Sequence, residues 1–106
     1  MKIVTTDTIA GYTITESLGS VIGNTIRARH LGKDISAGLR SLVGGEITEY
    51  TGMMAESREQ ALQRMLDRAK ELNADAVVGI RFQTSMIMQG SAELLVYGTA
   101  VNLTQN

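Results

Sequence analysis

The stretch Ala76-Val77-Val78-Gly79-Ile80-Arg81-Phe82-Gln83-Thr84-Ser85, followed after a short break by Ala92-Glu93-Leu94-Leu95-Val96-Tyr97-Gly98-Thr99-Ala100-Val101-Asn102-Leu103, decides the fold. β-Branched and aromatic residues are frequent in both runs, and Gln89-Gly90 between them is turn chemistry, so they read as two long antiparallel strands. A two-residue turn at Gln89-Gly90 predicts Phe82 opposite Tyr97, Ile80 opposite Thr99 and Val78 opposite Val101, one apolar face. The other face, with Val77, Gly79, Ile87, Leu94, Val96, Gly98 and Ala100, is also apolar or small. An antiparallel sheet in a small monomer normally keeps one face wet. Two dry faces require a helix on each or burial against another copy of the chain, and the length of the strands favours the second.

The segments before this hairpin supply the helices. Projection at about 100° per residue predicts a helix over residues 48–73, with Tyr50, Met54, Ala61, Leu62, Met65, Ala69 and Leu72 on one face. Thr48 is its expected cap and Asn73 its terminator, while Gly52 inside it costs about 1 kcal/mol relative to alanine. A shorter helix is expected from Asp34, with Ile35, Leu39, Leu42 and Val43 as its apolar stripe and Gly44-Gly45 as its stop. Lys2 to Thr5 reads as a short strand and residues 12–29 as a long β-rich stretch. Ile14, Glu16, Leu18, Ser20 and Ile22 alternate there with Thr15, Ser17, Gly19, Val21 and Gly23. A bulge or tight hairpin is expected near Gly23-Asn24. Ile26 and Ala28 then share one face, with Arg27 and Arg29 on the other.

Composition narrows the function classes. The chain has 106 residues, with 10 Lys and Arg against 11 Asp and Glu, so there is no basic field for nucleic acid or anionic lipid. With no cysteine there is no disulfide, thiolate metal site or cysteine nucleophile. No apolar run approaches the roughly 18 residues of a membrane span, and the opening residues lack a signal-peptide core. The expectation is one domain over residues 1–106, soluble and cytoplasmic, with no nucleic-acid or membrane partner.

Few residues offer chemistry. Arg58 falls within the projected apolar face between Met54, Ala61 and Met65, where a guanidinium must snorkel or pair, with Asp34, Glu46 and Glu93 as candidate partners. Gly44-Gly45-Glu46 lies between the two expected helices; without a GxGxxG or a Walker lysine, a helix stop explains it better than a phosphate cradle. For metals, soft cations prefer thiolate, which is absent. His30 is the single imidazole, and Met53-Met54 and Met86-x-Met88 are thioethers that suit Cu(I) but more often fill apolar interfaces. For catalysis, His30 alone titrates near neutrality, with no HxxxH partner and no nucleophile elbow. Arg27, Arg29 and His30 form a small basic cluster, either a wet strand edge or an anchor for an acidic metabolite or phosphate.

Several segments together resemble a known family. They are Val4-Thr5-Thr6-Asp7-Thr8, Leu18-Gly19-x-Val21-x-Gly23, Asp34-x-x-Ala37-Gly38-Leu39-Arg40, Val43-Gly44-Gly45 and Glu49-Tyr50-Thr51. Ala74-Asp75-Ala76-Val77-Val78-Gly79 and Tyr97-Gly98-Thr99-Ala100-Val101 complete the set. In this order and spacing they resemble, over essentially the whole chain, the YbjQ-like family of small bacterial and archaeal proteins labelled "putative heavy-metal-binding". The resemblance implies an α+β, dodecin-subunit-like fold assembled as a closed ring, usually a pentamer. It implies no catalytic residues.

The resulting expectation is an α+β fold with an N-terminal β region, two helices and a long C-terminal antiparallel hairpin, assembling into a ring. Its function is expected to be non-enzymatic binding of a metal ion or small anionic ligand where subunits meet. Arg27, His30, Asp34, Glu46, Tyr50 and Arg58 are the candidate lining. The alternatives are an enzyme acting on a small acidic metabolite at the same boundary, with His30 as general acid or base, and a purely structural ring.

Overall fold

The C-terminal run that reads as half of a hairpin is the centre of a larger sheet. The structure, a computed structural model, describes residues 1–28, 48–88 and 90–106. Their elements are strands β1 (Lys2–Ile3) and β2 (Tyr12–Ala28), helix α1 (Thr48–Glu71), and strands β3 (Ala76–Met88) and β4 (Ser91–Gln105). The sheet order is β1-β3-β4-β2, with β4 antiparallel to both β3 and β2, and β1 parallel to β3.

This corrects the expected architecture of a dodecin-subunit-like α+β ring with two helices and a C-terminal hairpin. Among the described residues there is one helix on one four-stranded mixed sheet. The shorter helix expected from Asp34 lies outside the described residues. The hairpin is not a unit of its own: β4 pairs with β2 from Tyr12 opposite Gln105 to Ala28 opposite Ser91, as well as with β3. A central strand has hydrogen bonds to give on both edges, and the long N-terminal strand takes the second edge. The structure gives no support for a ring.

The register also differs, for a local reason. Met88 pairs with Ser91, as a two-residue turn requires, but an irregularity before it moves Phe82 opposite Val96 and Arg81 opposite Tyr97. A second, at Gly79-Ile80, moves Val78 opposite Thr99 and Ala76 opposite Val101. Gly79 has φ +64, which glycine adopts without a Cβ penalty. Each extra residue reverses the alternation beyond it. Val77 and Ile80, three apart, therefore share the helix-facing core, whereas Val78 joins Ala76 and Val101 on the opposite face.

β2 shows the same device at a different place. It runs unbroken through Gly23-Asn24, where a bulge or hairpin is expected from sequence. Its irregularities lie between Ile14 and Glu16 and between Ser17 and Gly19, with Gly19 at φ +111. Leu18 consequently packs with Val21 against the helix, and Ile14 with the opposite cluster.

Gly23 has a steric role. A Cβ built there would collide with the carbonyl oxygen of Ala61, and would lie 2.5 Å from the amide nitrogen of Met65. The backbone of α1 rests directly on the strand. The helix permits this by presenting Ser57, Ala61, Met65 and Ala69, all buried, at four-residue intervals. Val21, Val77, Ile80, Leu94, Val96 and Ala100 fill the space around that line. On the opposite face Val4, Ile9, Ile14 and Leu103 cover Ala76, Val78 and Val101.

The helix ends in a Schellman motif. Asn73 takes φ +58, its amide donates to the carbonyl of Lys70 at 3.0 Å, and the Ala74 amide donates to that of Ala69 at 3.1 Å. Asn73, Asp75 and Asn102 tie this end to β4: the Asn102 side-chain amide donates to the Asn73 carbonyl, and the Leu103 amide donates to the Asp75 carboxylate.

Among the described residues, none covers the far end of the sheet. Past Ile80, every described residue of β3 is exposed. The principal extents are 55 × 23 × 16 Å and the radius of gyration is 17.5 Å, against about 13 Å for a compact domain of this length.

Gly23→Ala is expected to lower stability by about 3 kcal/mol in a urea titration, because backbone on the other side cannot yield. Gly52→Ala, where a Cβ meets nothing within 4 Å, is expected to raise it by about 1 kcal/mol.

Candidate functional site

Arg27 lies near the end of β2, on the helix-facing side set by Val21, Gly23 and Thr25. Strand alternation therefore aims its side chain at α1. Its Nε donates to the Ser57 hydroxyl at 2.9 Å and its Nη2 to Gln60 Oε1 at 2.8 Å. Ser57 is only 1 % exposed, and its carbonyl accepts from the Thr25 hydroxyl at 3.3 Å. One turn further on, Arg64 Nη1 donates to the Asn24 carbonyl at 2.7 Å. The polar contacts that seat the helix on β2 thus converge on residues 24–27.

Beside this anchor is a cavity of about 230 Å³, lined by Arg27, Met53, Met54, Met86 and the segment Gly90 to Ala92. Its wall comes from three elements: the end of β2, the early turns of α1 and the β3–β4 end of the sheet. Among the described residues, the lining apart from Arg27 and Ser91 consists of methionine, alanine and glycine. Met54 also packs against the main core, while Met86 is 76 % exposed at the rim. On the other side of Arg27 a shallower cleft is bordered by Glu56, Glu59, Gln60 and Gln63.

Of the residues expected to form a site, Arg27 is in the cavity wall. His30, Asp34 and Glu46 lie outside the described residues, as does Arg29. Tyr50 falls in the first turn of α1, but its side chain is outside what the structure describes. Arg58 is exposed, which corrects its placement on the apolar face. The buried line advances in steps of four residues, and each step overshoots a 3.6-residue turn by about 40°. A fixed projection averages this drift and centres Arg58; at that level of the helix the buried position is Ser57. Of the carboxylates considered as partners for Arg58, Glu93 instead accepts from the Asn24 side chain at 3.1 Å.

Ser57 and Gln60 are the positioning residues that sequence reading misses. The available signal is the spacing Ser57-Ala61-Met65-Ala69, in which a small polar residue continues a buried ladder.

The comparisons with known proteins bear on this site. The YbjQ family model, described as "Putative heavy-metal-binding", matches residues 1–104. The chain belongs to that family. It is 60% identical over 103 residues to a UPF0145 protein of Methanosarcina acetivorans, covering 97% of each chain. It is 58% identical over 101 residues to a UPF0145 protein of Archaeoglobus fulgidus, covering 95% of this chain and 94% of that one. A crystal structure of a DUF74-family protein of unknown function from Pediococcus pentosaceus superposes with a TM-score of 0.70 at 21% identity, covering 98% of each chain, and so shares the fold.

Among the described residues no group of three or more His, Cys, Asp or Glu converges. The donors that do converge are the thioethers of Met53, Met54 and Met86, acceptable to a soft monovalent ion, and they share their cavity with a guanidinium. Among the described residues, no helix is long and apolar enough to cross a membrane.

Ser57→Ala is expected to cost about 1–2 kcal/mol in a denaturant titration, because it removes the acceptor of Arg27 Nε next to a buried helix face. Arg58→Ala is expected to stay within about 0.5 kcal/mol of the parent in the same measurement.

Proposed function

We propose that this member of the family is a non-catalytic binding protein that holds a small ligand in the Arg27 cavity and self-associates over the uncovered end of its sheet. The observation that carries this reading is the cavity itself, where a fixed cation and three flexible apolar side chains meet. Arg27 enters it pre-oriented by Ser57 and Gln60, so little side-chain entropy remains to be lost on binding. Methionine thioethers adapt to an irregular ligand surface.

The self-association reading rests on exposed apolar area. Phe82 is 47 % exposed, and Ile87 and Met88 also lie open beside Met86 at the cavity rim. On the sheet face away from α1, Ile26 is 59 % exposed in line with Ile22 and Tyr97. Apolar patches of this kind mark interfaces in small proteins. A second copy over the rim would put the cavity at a subunit boundary.

A metal-binding reading is favoured by one observation, the convergence of three thioethers, and would otherwise draw on His30, Asp34 and Glu46. The enzymatic alternative needs His30 as general acid or base.

Native mass spectrometry of protein purified without chelator is expected to show a particle heavier than one chain, with a small organic molecule retained. Stoichiometric metal in its place would select the metal reading. Phe82→Glu is expected to shift sedimentation toward a single-chain mass, and a wild-type protein already at that mass would remove the self-association reading.

A further inference from the structure

We infer that the ligand of the Arg27 cavity is a small monoanion with a compact apolar body, its carboxylate on the guanidinium and its chain among Met53, Met54 and Met86. The inference rests on the binding reading above and adds the charge, size and orientation of the occupant.

Charge comes first. The Arg27 guanidinium puts a positive group on the cavity wall. Ser57 and Gln60, the two acceptors that orient it, are both neutral. Among the described residues they take two of the five N–H donors of the guanidinium. A carboxylate is the planar acceptor that such donors engage best, and charge-assisted bonds of this kind are about twice as strong as neutral ones. A cation entering the same space would meet the guanidinium at short range. Glu56 and Glu59 border the cleft on the far side of Arg27 and do not line this cavity.

Size and polarity come next. A volume of about 230 Å³ corresponds to roughly eight waters at liquid density. That accommodates a chain of about six carbons. Beyond Arg27, none of the described residues on the wall is charged, so a second charge on the ligand would find no partner among them. Orientation follows from the wall: the head lies toward β2 and the tail toward α1 and the exposed Met86.

The test is a titration of the full-length protein with three probes of one shape: hexanoate, 1-hexanol and hexylamine. It is followed by NMR of the methionine methyls and of the Gly90 to Ala92 amides. Hexanoate is expected to shift these signals saturably, with hexanol about tenfold weaker and hexylamine weaker still. Arg27→Gln should lose about tenfold in hexanoate affinity and bring the acid-to-alcohol ratio close to one, and Arg27→Lys should retain part of the preference. The acid–alcohol comparison is made on the wild type, so it stands even where a variant folds poorly. Equal binding of acid and alcohol would overturn the anion assignment and leave the binding site in place. Stoichiometric silver(I) shifting the same methyls, with hexanoate unable to compete, would overturn it in favour of the metal reading. No shift with any probe would overturn both this inference and the proposed binding site.

Discussion

The backbone of α1 lies on the backbone of β2 at Gly23, with no side chain between them. Contact that close is available only where the strand has a glycine, here against the backbone of Ala61 and Met65. Once the helix is held at that depth, several other features follow. Thr25, two residues along the strand, becomes buried and must give its hydroxyl to the Ser57 carbonyl. Arg27, two further along, turns its guanidinium to Ser57 and Gln60 on adjacent turns of the helix. A larger residue at the crossing would lift the helix and separate all of these partners together.

The candidate site is thus a by-product of how the layers are stacked. Its cation is oriented by the same bonds that help seat the helix, and its apolar wall borrows Met54 from the main core. Interior packing transmits displacement rather than absorbing it, so the cavity and the hydrophobic core are mechanically one structure.

Much of the fold is legible in the residues. The strand content of the C-terminal half, the helix beginning near Thr48 and the terminator Asn73 all follow from local chemistry. Pairing is less legible. Alternation assumes one residue per step, and an inserted residue at Gly79 or Gly19 leaves no mark except a glycine, which has other uses. The role of β4 between two partners is equally silent, because a strand buried on both faces looks the same whichever neighbours it has. Arg58 shows a third limit: a helical wheel is drawn for a straight stripe, and the stripe here winds. At the site, Arg27 was visible as a candidate, whereas Ser57 and Gln60 acquire meaning only when the helix is laid on the strand.

The extra residue at Gly79 divides β3 into two stretches of opposite parity. Before it, odd-numbered positions such as Val77 look toward the helix; after it, even-numbered ones such as Ile80 do. Inside and outside are therefore punctuated along this ribbon as well as spelled. Drift that shortened or lengthened the strand upstream of that comma would turn one half over and spare the other. Substitutions among similar residues, by comparison, would leave the grammar intact.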